Sequence, residues 1–358
     1  MKKITVSIFL LCLLSILSFG EARREPSSNA TYKDKVLYIK GEEAPFTGIL
    51  TEKKGNDYFE IDFQNGKKHG KFKSFYPNGN LEEEQEYDND KMIGVLKEYY
   101  DSGELKREKE IKDEELNGFY VEYHKNGNKR LETSFINGKE NGEQKLFSED
   151  AKLLQVISRK EGKNEGECKE YYNNGNIKLE NKYENGKVNG KQKEYWENGN
   201  NKLLGTFKDG IQDGLTTFFY ENGKIKGESN FLNGKRVGAY IEYYENGNKK
   251  LETNFINGKE EGEQKLFFED GKNKSIAYIK NGAPDGKFIE YYSNGNLKSE
   301  ATFVNGKKEG NVKNYHENGK IYIGAYMKNG KHEGSYKEYT SDGKIKYNVI
   351  FENGKQVK

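Results

Sequence analysis

Glycine recurs every 24 residues along most of this chain, at Gly70, Gly94, Gly118, Gly142, Gly166, Gly190, Gly214, Gly238, Gly262, Gly286, Gly310 and Gly334. Five residues after each of these twelve glycines stands an aromatic ring, from Phe75 and Tyr99 to Tyr315 and Tyr339. A period held without slippage restricts the chain to architectures in which every unit meets its neighbours in the same way. Nine residues after the glycine comes a turn signal, as at Asn78-Gly79, Asn126-Gly127, Asn174-Gly175 and Asn246-Gly247. Asn-Gly accepts positive φ at both central positions, so this signal predicts a type I′ hairpin turn. A second signal, Asn-Gly-Lys, closes most units, as at Asn137-Gly138-Lys139, Asn257-Gly258-Lys259 and Asn353-Gly354-Lys355. Each unit therefore reads as two short strands and two tight turns.

The strand after the first turn alternates with a period of two: Leu131, Thr133 and Phe135 on one face, Glu132 and Ser134 on the other. Leu251, Thr253 and Phe255 follow the same lattice, as do Leu297, Ser299, Ala301 and Phe303. This predicts an inner column of aliphatic, small and aromatic side chains beside an outer one rich in glutamate. Lys97, Lys145, Lys169, Lys193 and Lys265 are spaced to pair across strands with glutamates of neighbouring units, giving a solvated and mutually neutralised surface. Hairpins of this size cannot bury a face alone and must lean on one another. The expected fold class is all-β, an elongated solenoid of stacked antiparallel β-hairpins with twelve 24-residue units over 70–358. Asp90, Glu114 and Ala151 replace turn glycines and Arg159 replaces a ring, so local weakness is expected in their units. The run from Gly118 nearly repeats from Gly238, an offset of 120 residues or five whole units. Such a duplication lengthens a stack without disturbing any core.

Hydrophobic residues make up only 33% of the 358, as do charged ones, which would suit disorder but for 26 Tyr and 20 Phe. Met1-Lys2-Lys3 and the apolar run Ile4 to Phe19 read as a secretory signal peptide over residues 1–20, the alternative being an uncleaved membrane anchor. Residues 21–37 read as a flexible segment, and 38–69 as an irregular first repeat forming an N-terminal cap. Without residues 1–20, 58 basic residues balance 58 acidic ones, which argues against a nucleic-acid partner. Cys168 is then the only cysteine, so the fold stands without disulfides.

Nothing in the pattern marks an enzyme, a cofactor site or a metal site. His124 and His316 take a slot held elsewhere by tyrosine and lie 192 residues apart, too far apart in a stack to share a metal. Cys168 sits in a ring position with no histidine in its own or adjoining units. No phosphate-binding G-x4-G-K-[ST] run occurs, and the glycines read as turn residues. Glutamates recur in every unit, whereas an active site is a break in a pattern. One slot offers a binding surface: the rings Tyr100, Tyr172, Trp196, Tyr220, Tyr244, Phe268 and Tyr292, read as exposed.

The pattern G-x4-Y-Y-x-N-G followed by N-G-K-x-x-G, running from Gly70 to Lys355, resembles the variant MORN repeat, including the bacterial family of YwqK-type antitoxins of toxin-antitoxin systems. The resemblance implies a meandering sheet of hairpins and extends to Tyr38–Phe63 as an irregular first repeat. The functional expectation is an exported, non-catalytic repeat scaffold that binds a protein partner, with an immunity role toward a co-exported toxin as one form of it. The alternative is an envelope glycan or lipid binder that uses the ring-lined face.

Overall fold

The computed structural model describes residues 22–358. The apolar N-terminal stretch, and with it the expected signal, lies outside the described residues. Among the described residues the only regular element that is not a strand is a single 3-10 turn at Ser27–Asn29. The chain divides at Gly127–Asn128 into two compact units. From Gly48 onward, consecutive strands within each unit pair antiparallel in chain order, as Lys91–Tyr99 does with Leu105–Lys112, and Lys163–Tyr171 with Ile177–Glu184. The fold is an all-β repeat solenoid of hairpins.

The two turns of a repeat differ, and the sequence expectation for the first is corrected. At Asn78-Gly79 only the glycine is left-handed (φ 87°). Tyr76 N–H donates to the Asn80 carbonyl (2.8 Å) and Gly79 N–H to the Tyr76 carbonyl (2.9 Å), enclosing a three-residue loop. That is a type I turn closed by a glycine bulge. Type I′ geometry belongs to the second turn, where Asn137 (φ 50°) and Gly138 (φ 73°) are both left-handed and Ile136 pairs with Lys139 across a two-residue loop. Asp90 (φ 72°) and Glu114 (φ 66°) adopt the same conformation at a cost that glycine avoids.

The 24-residue glycine is not a turn residue either. Ile61 pairs with Phe72 and Phe63 with Lys68, so Asp62 alone faces His69, Gly70 and Lys71. The excess residues form a β-bulge, with Gly70 at φ 107°. A Cβ there would lie 2.9 Å from Asp62 Cβ, and one at Gly118 would lie 2.8 Å from Glu110 Cβ. Glycine recurs because the bulge recurs and holds this residue at positive φ in every repeat, from 68° at Gly334 to 136° at Gly286.

In each unit one sheet face buries the expected inner column. Gln85, Thr133, Ser229, Thr253, Ala277, Ala301 and Ala325, spaced by multiples of 24, are each at most 7% exposed. Large rings stand opposite these small residues: Tyr240 pairs with Ser229 and Thr253, and Phe288 with Ala277 and Ala301. The rings meet the next column edge-on, Tyr240 with Phe255 at 6.0 Å and Phe288 with Phe303 at 5.9 Å. Aromatic rings laid over small side chains supply the packing that a single-layer sheet otherwise lacks. Thr133, Ser229 and Thr253 leave their buried hydroxyls without a protein partner.

At the N-terminus, Leu37, Ile39, Phe46, Leu50 and Phe63 form a compact apolar cluster. Within the segment expected to be flexible, Arg24–Pro26 and Ala30–Lys33 are strands. Arg24–Pro26 lies parallel to Ile49–Thr51, and Ala30–Lys33 pairs with Val36–Ile39. The pairing occupies the outer side of strand Gly48–Lys54, which would otherwise present unpaired backbone groups. Arg23 reaches Glu25 (2.8 Å) and Glu42 (2.5 Å), and Arg24 reaches Glu60 (2.5 Å), holding the segment down.

Two substitutions test this account by their effect on the thermal unfolding midpoint. Glu114→Gly should raise stability by about 0.5–1 kcal/mol by relieving the left-handed strain. Thr253→Val should stabilise by roughly 1 kcal/mol, since it removes an unsatisfied buried hydroxyl while keeping the shape.

Candidate functional site

The seven candidate rings occupy the residue that opens each first turn, and all seven are half-buried rather than exposed. Their polar ends are already engaged. Tyr100 Oη donates to the Tyr123 carbonyl (2.8 Å), Tyr172 to Tyr195 (2.7 Å), Tyr220 to Tyr243 (2.7 Å), Tyr244 to Phe267 (2.8 Å) and Tyr292 to Tyr315 (2.7 Å). Trp196 Nε1 reaches the Phe219 carbonyl at 3.4 Å. Each of these bonds spans 23 residues, from one repeat to the equivalent strand end of the next. Phe268, which has no hydroxyl, fills the slot by packing alone. His316 keeps the same bond, Nε2 lying 2.9 Å from the Tyr339 carbonyl.

Beside each ring the turn adds a second clasp. Asn174 Nδ2 and Asn176 Nδ2 both donate to the Glu197 carbonyl (3.0 and 2.9 Å), as Asn246 and Asn248 do to Glu269 (both 2.7 Å). Where the last residue of the triplet is lysine, its Nζ takes over, as from Lys224 to the Glu245 carbonyl (2.8 Å). The opposite edge is held differently. Gly186 N–H donates to the Asn164 carbonyl (2.9 Å) and Asn185 N–H to Glu165 Oε2 (2.8 Å). Sequence reasoning read the turns but missed the clasps. The signal was the third residue of the Asn-Gly-Asn triplets at Asn80, Asn128, Asn176, Asn200, Asn248 and Asn296, which the turn itself does not require.

The rings are also covered. A lysine six residues on lies over Tyr100, Trp196, Tyr220, Tyr244, Phe268 and Tyr292 at 5.2–6.0 Å from the centroid. Several of these lysines hold a glutamate at the same time, as Lys250 holds Glu242 and Lys298 holds Glu290, each at 2.8 Å. The candidate surface is therefore a set of inter-repeat fasteners with cations laid over them.

The face opposite the buried column carries the charges. Lys73 pairs in register with Glu84, Glu84 with Lys97 and Lys97 with Glu108. Lys169 and Lys193 flank Glu180 at 3.7 and 3.5 Å, the cross-strand pairing expected, whereas Lys145 and Lys265 turn to Glu143 (2.7 Å) and Glu263 (2.5 Å) on their own strands. Tyr195 Oη donates to Glu180 (2.7 Å) and Tyr315 Oη to Glu300 (2.7 Å). Burial, and then the neighbouring carboxylate, pushes both phenols up to about 12. The same bonds hold Glu180 and Glu300 below the ordinary carboxylate range.

The remaining reactive groups do not converge. Cys168 is 2% exposed, and burial followed by the nearby Glu170 pushes its thiol up to about 11, away from thiolate chemistry. His69 faces Asp88 (3.1 Å), and His332 lies among the rings of Tyr336 and Phe351. Among the described residues no three His, Cys, Asp or Glu side chains are grouped to hold a metal ion, and no helix is long and apolar enough to cross a membrane.

The repeat just described matches a known family. Residues 68–89, 92–113, 164–185, 188–209, 212–233, 236–257, 284–305 and 308–329 each match the MORN repeat variant. This is a MORN-repeat protein. The single repeat that holds both Ala151 and Arg159 falls between the matched stretches, yet its strands Gly142–Phe147 and Leu153–Lys160 pair as the others do. No curated protein matches the chain. Among solved structures, the TcdB2-TccC3-TEV crystal structure aligns over 83% of this chain and 17% of that one, at 11% identity and a TM-score of 0.17. The Photorhabdus luminescens Tc holotoxin pore aligns over 82% of this chain and 17% of that one, at 10% identity and a TM-score of 0.17. The MORN chain thus spans less than a fifth of either, and scores of this size establish no common fold.

Two measurements check the clasps. Tyr172→Phe should cost about 0.5–1.5 kcal/mol and speed amide exchange in strand Gly190–Tyr195, while exchange in distant repeats stays unchanged. Since the phenols of Tyr195 and Tyr315 are raised in the folded state, their contribution is complete below pH 10 and lost as pH rises toward 12. Ultraviolet titration should show tyrosinate forming near pH 12, with smaller amplitude in Tyr195→Phe and Tyr315→Phe.

Proposed function

We propose that this MORN-repeat chain is an exported, non-catalytic scaffold that holds a partner protein against its repeated faces. One observation carries the reading: the rings, carboxylates and turn amides recur with the 24-residue period, and many of them are engaged by neighbouring strands and repeats. The rings clasp the next repeat, the carboxylates hold lysines or turn amides, and His316 stands in for a tyrosine. Catalysis needs unlike groups converging at one place. Regular repetition instead multiplies one modest contact along a surface, which suits adhesion to an extended partner. The basic, apolar N-terminal stretch supports export to the envelope, cell surface or medium.

The glycan or lipid alternative rested on free aromatic faces. Half-buried rings with tethered hydroxyls and lysines over them offer little stacking surface. The antitoxin resemblance makes a co-exported toxin the first partner to test.

The experiment immobilises the chain from residue 22 and exposes it to envelope extract and to any toxin encoded beside it. A recovered protein, repurified, should bind saturably in calorimetry, and Lys169→Glu with Lys193→Glu should weaken it at least about tenfold if the charged face is used. Sedimentation of the chain with cell wall or liposomes, without any saturable protein partner, would replace the scaffold by the glycan or lipid reading.

A further inference from the structure

On the charged face of the second unit, one residue from each strand stands in a single cross-strand row. Its centre is apolar, where Ile276 of strand Asn273–Lys280 pairs directly with Ile289 of strand Ala283–Tyr291. Moving outward on one side, the registers place Lys265, Glu252, Ile241 and Glu228 in turn. On the other side they place Glu300, Lys313, Gly324 and Lys337. At equal steps from the centre the two arms carry opposite charges: Lys265 against Glu300, Glu252 against Lys313, Glu228 against Lys337. The row is the reverse of itself with the signs exchanged.

We propose that this face docks against the same face of a second copy of the chain, about a two-fold axis parallel to the strands and passing between Ile276 and Ile289. That operation reverses the row, so Ile276 of one copy meets Ile289 of the other, Lys265 meets Glu300, and Glu252 meets Lys313. Each contact is made twice, as an isologous interface requires. The other two-fold available to facing sheets, along the row, sets every charge over its own sign and is disfavoured. Sheets packed face to face keep their strands within about 30° of each other, an arrangement the strand-parallel axis permits.

The groups involved are accessible. The side chains of Lys265, Glu252, Glu300 and Lys313 are 31–47% exposed. Tyr278, 50% exposed, borders Ile276 and Ile289 in a shallow depression that Lys287 shares. Across the axis Tyr278 of one copy faces Lys287 of the other, a cation–π pairing. The apolar centre supplies attraction and the charged arms choose partner and register. This self-association is independent of the scaffold reading, and failure to find another protein partner leaves it standing.

Sedimentation velocity on the chain from residue 22, over a concentration series, tests it. A reversible dimer is expected, weakened by high salt. Lys265→Glu should loosen it by about 100-fold, because the symmetry repeats the clash twice. Adding Glu300→Lys should restore the dimer. Within one chain positions 265 and 300 lie three strands apart, roughly 14 Å, so only an intermolecular pair accounts for the rescue. Circular dichroism of each variant confirms that the strands persist, and Ile276→Asp gives an independent disruption of the centre. A chain that stays monomeric to about 1 mM, a dimer indifferent to Lys265→Glu, or a double variant no tighter than the single one would overturn the proposal.

Discussion

A single-layer sheet has no second layer to lock it, so the hydrogen bonds that bind one repeat to the next at both edges carry an unusual share of the order. At one edge a ring hydroxyl and two asparagine amides reach backbone carbonyls 21 to 23 residues ahead. At the other, a turn N–H reaches a carbonyl 22 residues back, and a carboxylate receives the adjacent N–H. These reaches are set by covalent geometry, so the repeat length has no freedom to drift. A unit of 23 or 25 residues would leave each clasp pointing at the wrong atom and shift the strands by one residue, turning the packed column to solvent.

The bulge glycine and the small-residue column answer the same constraint from within the strand. The bulge absorbs extra residues and restores alternation on its far side, which keeps Thr253 and Phe255 on one face opposite Tyr240 and Gly238. Large rings then settle over alanine, serine or threonine, and the core becomes a line of aromatic contacts rather than a volume. Cys168 fits this logic as another small side chain in a ring position, buried at 2% exposure.

Such a construction leaves few groups free for chemistry. Two faces remain, one of ring edges and one of alternating charge, and both present the same motif again and again. Departures from the pattern then matter most. The Ile276–Ile289 pair, where lysine or glutamate would keep the alternation, is such a departure on the charged face.

The 24-residue phase, the two turns of each unit and the period-two alternation between them were all written in the order of residues, because turn chemistry and strand pleat are local properties. From these the hairpin solenoid and the inner column of Leu131, Thr133 and Phe135 followed. Other features depended on atoms brought together from different repeats. That the Tyr172 hydroxyl reaches the next repeat, that Gly70 sits in a bulge rather than a turn, and that Arg24–Pro26 pairs with Ile49–Thr51 are consequences of contacts about twenty residues or more distant, or of strand register. Type I and type I′ turns share the Asn-Gly signal and differ in loop length and in whether the asparagine itself is left-handed, both set by register. Composition and spacing name the parts of a repeat, but what a side chain is free to do is decided by the repeat laid against it.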